Sequence, residues 1–205
     1  MEFKQRFRGY LPVVIDLETG GFDATTHPIL ELSAVLLDWQ GDQLRIKSQH
    51  DWAVAPFAGS TVEPASLKIT GIDPDDPQRA AVDERTALME CFALIRSEIK
   101  TYRCNRAILV AHNASFDQGF LKAAVERGTI KRDPFHPFST IDTAALAALC
   151  YGHTVLSEAC RRAGLTFDNQ QAHSAHYDTK ATAELFCLMV NNTPLPVVPE
   201  VAASA

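Results

Sequence analysis

The 205-residue chain has no C-x-x-C pair, and its five cysteines (Cys91, Cys104, Cys150, Cys160 and Cys187) are odd in number and far apart. That argues against a disulfide framework and against a cysteine-based zinc site, and leaves reduced thiols. Long apolar runs are missing too: none approaches the roughly 20 residues that span a bilayer. The basic opening stretch MEFKQRFRGYLP leads into no secretory apolar core, so a cytoplasmic location is expected, with no membrane partner. Nothing repeats, which excludes a solenoid. Positive charge is also in deficit. A net charge of -6, taken as a sum, speaks against a nucleic-acid partner. The positions of the basic residues qualify that sum, because they concentrate in three clusters: Lys4, Arg6 and Arg8; Arg96, Lys100, Arg103 and Arg106; Arg127, Lys131 and Arg132. Such clusters form solvated faces, or a phosphate-binding patch if they converge.

What is present is an ordinary globular composition, 46% hydrophobic and 21% charged, enough for one well-cored domain expected over residues 1–191. A flexible, proline-containing tail is expected over 192–205. The stretch VVIDLE (13–18) reads as a buried strand that ends in two acids. Asp16 and Glu18 lie two apart and leave the same strand face, roughly 6–7 Å from each other. At an effective dielectric near 20 they repel by about 2–3 kcal/mol. Something must offset that repulsion.

Further strands are expected over 29–39, 45–54, 106–112 and 138–142, with TGGF (19–22) as a flexible turn. Helices are expected over 63–70, closed by Gly71, and over 83–102, 116–127, 142–150, 155–163 and 175–190. Asn113 or Ser115 would cap the helix at 116. An antiparallel meander of three strands, followed by strands alternating with helices, makes an α/β fold with a mixed central sheet flanked by helices. Ligands of such sheets gather at the carboxyl ends of the strands, where Asp16 and Glu18 stand.

The stretch AHNASFD (111–117) repeats the peculiarity. Asp117 opens a helix, where an acid complements the dipole, yet Phe120, Leu121 and Ala124 place it at the head of the core-facing stripe. In HSAHYDT (173–179), Asp178 shares a helix face with Thr182, Leu185 and Met189. His173 and His176 both lie close by, and periodicity does not choose between them. Four inward-facing carboxylates from distant parts of the chain cannot all stay ionised without cations. An oxygen-only ligand set suits Mg²⁺ or Mn²⁺, and paired ions about 3.5–4 Å apart serve phosphoryl displacement.

In order and spacing, VIDLETGG, AHNASFD and HSAHYDT resemble the three motifs of the exonuclease superfamily with four acidic residues and a histidine. Within it the chain is similar to the ribonuclease T branch, on the stretches RFRGYLPVVID (6–16), CNRAILVAHN (104–113), KRDPFHPFSTIDTA (131–144) and QAHSAHYDT (171–179). The resemblance implies a ribonuclease H-like fold and a homodimeric 3′ to 5′ exoribonuclease. Such an enzyme trims transfer RNA and other stable RNAs, and also the 3′ ends of single-stranded DNA. It implies two Mg²⁺ ions per active site, with Mn²⁺ as a substitute, held by Asp16, Glu18, Asp117 and Asp178, and selects His173 as the general base. Phe22, Phe116 and Phe138 would stack on terminal bases, with a core role as the alternative for each and above all for Phe116, beside Asp117. Arg6, Arg8, Lys100, Arg106 and Lys131 would hold the RNA body. An oligoribonuclease or a DNA proofreading exonuclease of the same superfamily is the nearer alternative, and a non-catalytic nucleic-acid-binding module the remote one. Two departures stand out: Ile69 occupies a position where members of the branch often carry phenylalanine, and their basic, tryptophan-containing C-terminus is replaced by the proline-rich tail. The motif form makes one direct prediction: His173→Ala lowers the cleavage rate more than His176→Ala, as read in a side-by-side rate comparison on one RNA.

Overall fold

The structure is a computed structural model that describes residues 2–195; most of the expected tail, residues 196–205, lies outside the described residues. Strands β1 (Tyr10–Thr19), β2 (Ile29–Gln40) and β3 (Gln43–Ala55) form the expected antiparallel meander. Strands β4 (Val82–Asp83), β5 (Arg106–Ala111) and β6 (Phe135–Asp142) complete one six-stranded sheet in the order β4-β3-β2-β1-β5-β6. The strand that carries Asp16 and Glu18 is therefore central. It pairs antiparallel with β2 on one edge and parallel with β5 on the other.

Among the described residues, seven α-helices accompany the sheet: α1 (Phe3–Arg6), α2 (Pro64–Thr70), α3 (Glu84–Thr101), α4 (Ala114–Arg127), α5 (Thr143–Tyr151), α6 (Leu156–Arg162) and α7 (Ala175–Asn192). The main core joins Val13, Val14 and Ile15 of β1 to Phe92 and Ile95 of α3, Phe120 and Ala124 of α4, and Phe186 and Val190 of α7. Each such large side chain contributes about 1.5–3 kcal/mol of burial. A second cluster, Ala147, Ala159, Cys160, Leu185 and Met189, binds α5 and α6 to α7. Periodicity found the long elements because their apolar stripes are continuous. It missed α1, the 3₁₀ turn Pro77–Arg79 and the two-residue β4, which are too short to show a period.

Of three local expectations, one holds and two change. Gly71 does end α2 in the left-handed region, at φ 71°. The TGGF stretch, by contrast, is a packed joint: a Cβ on Gly21 would meet the His27 ring at 2.5 Å, and one on Gly20 would meet Pro28 at 2.7 Å. His27 in turn accepts a hydrogen bond from the Asp23 amide at 2.9 Å. The cap of α4 also differs. Asn113 holds the N-cap position in the left-handed region (φ 69°), but its side chain makes no capping hydrogen bond, and Ser115 lies inside the helix.

Arg127 leaves the basic patch. Its guanidinium grips Glu84 through two hydrogen bonds of 2.8 and 3.1 Å, donates to the Ala24 carbonyl at 2.6 Å, and lies 4.1 Å from the centre of the Phe57 ring. It ties α3, α4 and the β1–β2 loop together and is a structural residue. Because Glu84 is buried, removing its partner leaves an uncompensated charge. Arg127→Ala should therefore lower stability by about 3 kcal/mol in urea unfolding, with the salt dependence of RNA binding unchanged.

Candidate active site

The site forms where the central strands end. Asp16 and Glu18 close β1, and the opposite register positions on β2 are Ser33 and Glu31. Strand β5 stops at Ala111. The left-handed Asn113 then turns the chain so that α4 starts at once, with Asp117 in its first turn and only 3% exposed. The Asp117 carboxylate accepts from its own amide and from the Leu17 amide, which fixes it against β1.

The last acid arrives by an equivalent turn. His173 is left-handed (φ 66°), its backbone N–H donates to Asp178 Oδ2 at 3.0 Å, and α7 begins two residues later. Two non-glycine residues in this uncommon region thus stand just before the two helices that bring in the remote acids, and asparagine and histidine are among the residues that tolerate it. One donor atom each from Glu18, His173 and Asp178 lies within 4.8 Å of the others. Asp178 Oδ1 is buried and has no hydrogen-bond partner. A buried carboxylate oxygen left unpaired beside other acids fits a cation ligand, and oxygen donors suit a hard divalent ion.

The electrostatics agree. Asp16 is held well above the usual carboxylate range by burial and then by Asp117, Glu18, Asp178 and Glu31. Glu18 is pushed up to about 8 by burial, then by Asp178, Glu31 and Asp117. Asp117 is raised by burial, with its two amide partners opposing and Asp142 adding to the rise. Asp178 is raised by burial, opposed first by the His173 amide. The four acids named from the sequence therefore share one negative pocket.

The two candidate histidines part company. His173 lies beside Glu18 and Asp178, whereas His176 turns to β3, with Nδ1 2.8 Å from Asp51 Oδ2 and its carbonyl accepting from Gln49 Nε2 at 2.7 Å. Among the aromatics, Phe22 is 78% exposed on the loop that leaves β1, and its ring meets Phe116 edge-on at 6.3 Å. Phe116 is half-buried against Phe120 at 4.9 Å, so it has both a core contact and an open neighbour. Phe138 is 77% exposed, edge-on to His136 at 4.5 Å. Ile69 is exposed as well.

The basic residues gather at the other end of the sheet. Arg8 lies 5.8 Å from the centre of the Tyr10 ring, and Tyr10 is the register partner of Arg106 where β1 and β5 begin. Arg106 donates to the Phe135 carbonyl at 2.9 Å, at the start of β6, and Arg96 donates to the Arg132 carbonyl at 3.0 Å. Arg6 donates to Thr193 at 2.6 Å, while Lys100 and Lys131 are exposed. The strand from Tyr10 to Glu18 sets the two ends roughly 25 Å apart.

Sequence reasoning missed two acids. Glu31 faces Glu18 across β1 and β2, and Asp142 accepts from the Asn113 amide at 3.1 Å and the Ala144 amide at 2.8 Å. A lone carboxylate in the apolar run ILELSAVLL was the available signal for the first, and the D-T-A-A helix start for the second.

Comparison with known proteins fits this geometry. Residues 13–186 match the exonuclease family. The chain is 57% identical to a ribonuclease T of Hahella chejuensis over 91% of its own length and 86% of that protein. It is 53% identical to a ribonuclease T of Escherichia coli over 96% and 94% respectively. Its fold is similar to a zinc-bound complex of E. coli exonuclease I with single-stranded DNA (TM-score 0.69, 18% identity, 90% of this chain and 41% of that one). It is also similar to a 3′-exonuclease that recognises a histone mRNA stem-loop (TM-score 0.70, 20% identity, 88% and 63%). The chain belongs to the exonuclease family, in its ribonuclease T branch. It is an enzyme, a 3′ to 5′ exonuclease that hydrolyses phosphodiester bonds.

The raised acids set a pH dependence. A carboxyl whose folded pKa lies above its unfolded value stabilises the fold below the unfolded pKa, and that contribution is lost as pH rises through the folded pKa. With divalent ions chelated, Glu18 should therefore cost stability increasingly between about pH 4.5 and its value of about 8. Glu18→Gln should match the parent near pH 4 and exceed it by about 2 kcal/mol or more at pH 8.5 in EDTA. Denaturant unfolding at the two pH values measures the difference.

Proposed function

We propose that this single domain, residues 1–191, trims the single-stranded 3′ ends of transfer RNA and other stable RNAs, and of DNA, releasing nucleoside 5′-monophosphates in the cytoplasm. One observation carries the reading: Asp16, Glu18, Asp117 and Asp178, distant in sequence, share one pocket with His173 at its rim. The relatives' name and coverage favour RNA ends as the substrate, and no helix among the described residues is long and apolar enough to cross a membrane.

Asp16, Glu18, Asp117 and Asp178 are proposed as the residues that would hold two Mg²⁺ ions, with Mn²⁺ able to substitute. Such ions would neutralise the pocket and stabilise the attacking and leaving oxygens of an in-line displacement. The remaining chemistry belongs to this chain. The His173 imidazole accepts the proton of the attacking water, and the backbone hydrogen bond from His173 to Asp178 fixes where its ring begins. Phe22, with Phe116 behind it, and Phe138 offer faces on which terminal bases stack. Exposed Ile69 supplies apolar contact without an aromatic face.

Arg6, Arg8, Lys100, Arg106 and Lys131 are proposed to hold the RNA body. Because they gather at the amino ends of β1, β5 and β6, a 3′ end seated among the acids cannot have its nearest phosphates on the same subunit's patch. This supports a homodimer in which each subunit's patch serves its partner's acid pocket.

The test is release of labelled nucleotide from 3′-tailed RNA, from short oligoribonucleotides and from mismatched DNA, with Mg²⁺ and with EDTA. Release should require the metal, favour tailed RNA, and vanish in Asp16→Asn while thermal unfolding stays cooperative. Near-normal metal-dependent cleavage by Asp16→Asn would overturn the ligand assignment. Preference for mismatched DNA or very short RNA would move the enzyme to a sister activity. In the same assay, Arg106→Ala should lower the slope of log affinity against log salt by about one unit.

A further inference from the structure

Glu31 presents a puzzle. It is a fifth acid facing a pocket that already strains to hold four, and its charge raises both Asp16 and Glu18 further. An acid kept at that cost must supply something else. Its Oε2 accepts a hydrogen bond from the Ala175 backbone N–H at 3.2 Å, across 144 residues of sequence. Ala175 is the first residue of α7, and the N-cap residue Ser174 makes no side-chain capping bond. The helix start is thus capped by a carboxylate from β2, which also complements the positive end of the helix dipole.

This brace is part of a wider grip. The next residue, His176, is held to β3 by Asp51 through its ring and by Gln49 through its carbonyl. Asp51 in turn accepts from Ser33 at 2.7 Å, and Ser33 is the residue opposite Asp16. Thus β2 and β3 fix residues 175 and 176; His173 lies two residues before them, just outside the helix, and Asp178 two residues after them, in its first turn. The left-handed backbone at His173 has no regular structure of its own to keep it in place.

We propose that Glu31 is a positioning residue for the reaction: by accepting the Ala175 amide it holds the start of α7, so that the His173 imidazole and the Asp178 carboxylate stay beside Glu18. The role belongs to the acceptor oxygen at that reach, and not to the negative charge. It rests on the assignment of His173 and Asp178 made above. A cleft of about 240 Å³ lined by Glu31, Asp51, Ser174, Ala175 and His176 adjoins the brace. When the brace is removed, water can therefore enter and satisfy the amide, so the fold survives while the position is lost.

Three variants separate reach from charge. Glu31→Gln keeps the reach and loses the charge; Glu31→Asp keeps the charge and loses the reach; Glu31→Ala loses both. At saturating Mg²⁺, Glu31→Ala and Glu31→Asp should lower kcat by about 10- to 100-fold, the usual cost of losing an outer support, with KM for RNA nearly unchanged. Glu31→Gln should retain most of the parent kcat. In the metal-free proteins, hydrogen exchange at the Ala175 amide should quicken at least 10-fold in the Ala and Asp variants and stay slow in Gln. If Gln is as impaired as Ala, or if Asp retains full kcat, the acceptor role is wrong. If exchange quickens while kcat holds, Glu31 caps the helix without serving the reaction. Because exchange is read without metal or substrate, it tests the brace even if the cleavage reading fails.

Discussion

Everything in this structure answers to the repulsion among carboxylates collected at one end of a sheet. Hydrophobic pairing of β1 with β2 and β5 brings Asp16 and Glu18 to the centre of the molecule, where burial alone raises them, and the arrival of Asp117 and Asp178 raises them again. A fold organised only for stability would not assemble such a group. The apolar core, contiguous from β1 through α3, α4 and α7, is what holds the acids together in the absence of a counter-charge.

The way the acids are held differs from the way most helix ends are held. At α4 and α7 the N-cap side chains make no capping bonds. The acceptors come instead from outside: Asp142 at the end of β6 takes the Asn113 amide, and Glu31 on β2 takes the Ala175 amide. Each helix is thereby registered to the sheet at the turn that carries its acid. The backbone pays for this with left-handed residues at Asn113 and His173, and strain of that kind persists where surrounding structure enforces it. The basic groups are placed at the amino ends of the same strands, and the charges that act on Asp16 and Glu18 among the described residues are those of other acids.

The long elements were legible in the sequence because branched apolar strands and continuous helical stripes carry strong periodicity. The four acids were legible because each stands at an element end yet shares its face with core residues, as Asp117 does with Phe120 and Asp178 with Leu185. Which histidine lies beside the acids was beyond periodicity, because what separates the two is a side-chain contact between His176 and Asp51 across 125 residues. Arg127 read as part of a charge cluster for the same reason: its partner Glu84 is 43 residues away. The tightness of the TGGF joint was hidden as well, since glycine signals freedom or closeness equally, and only the neighbouring His27 and Pro28 decide which.

Asp16 and Glu18 come 160 or more residues before Asp178 in the chain. During synthesis on the ribosome the early pair therefore exists long before α7 emerges. A chain that has not yet formed α7 has the repulsion between Asp16 and Glu18 without the acid that α7 carries. The pocket is therefore complete only when α7 has docked against β2 and β3, after the strand that carries its first two acids has been made.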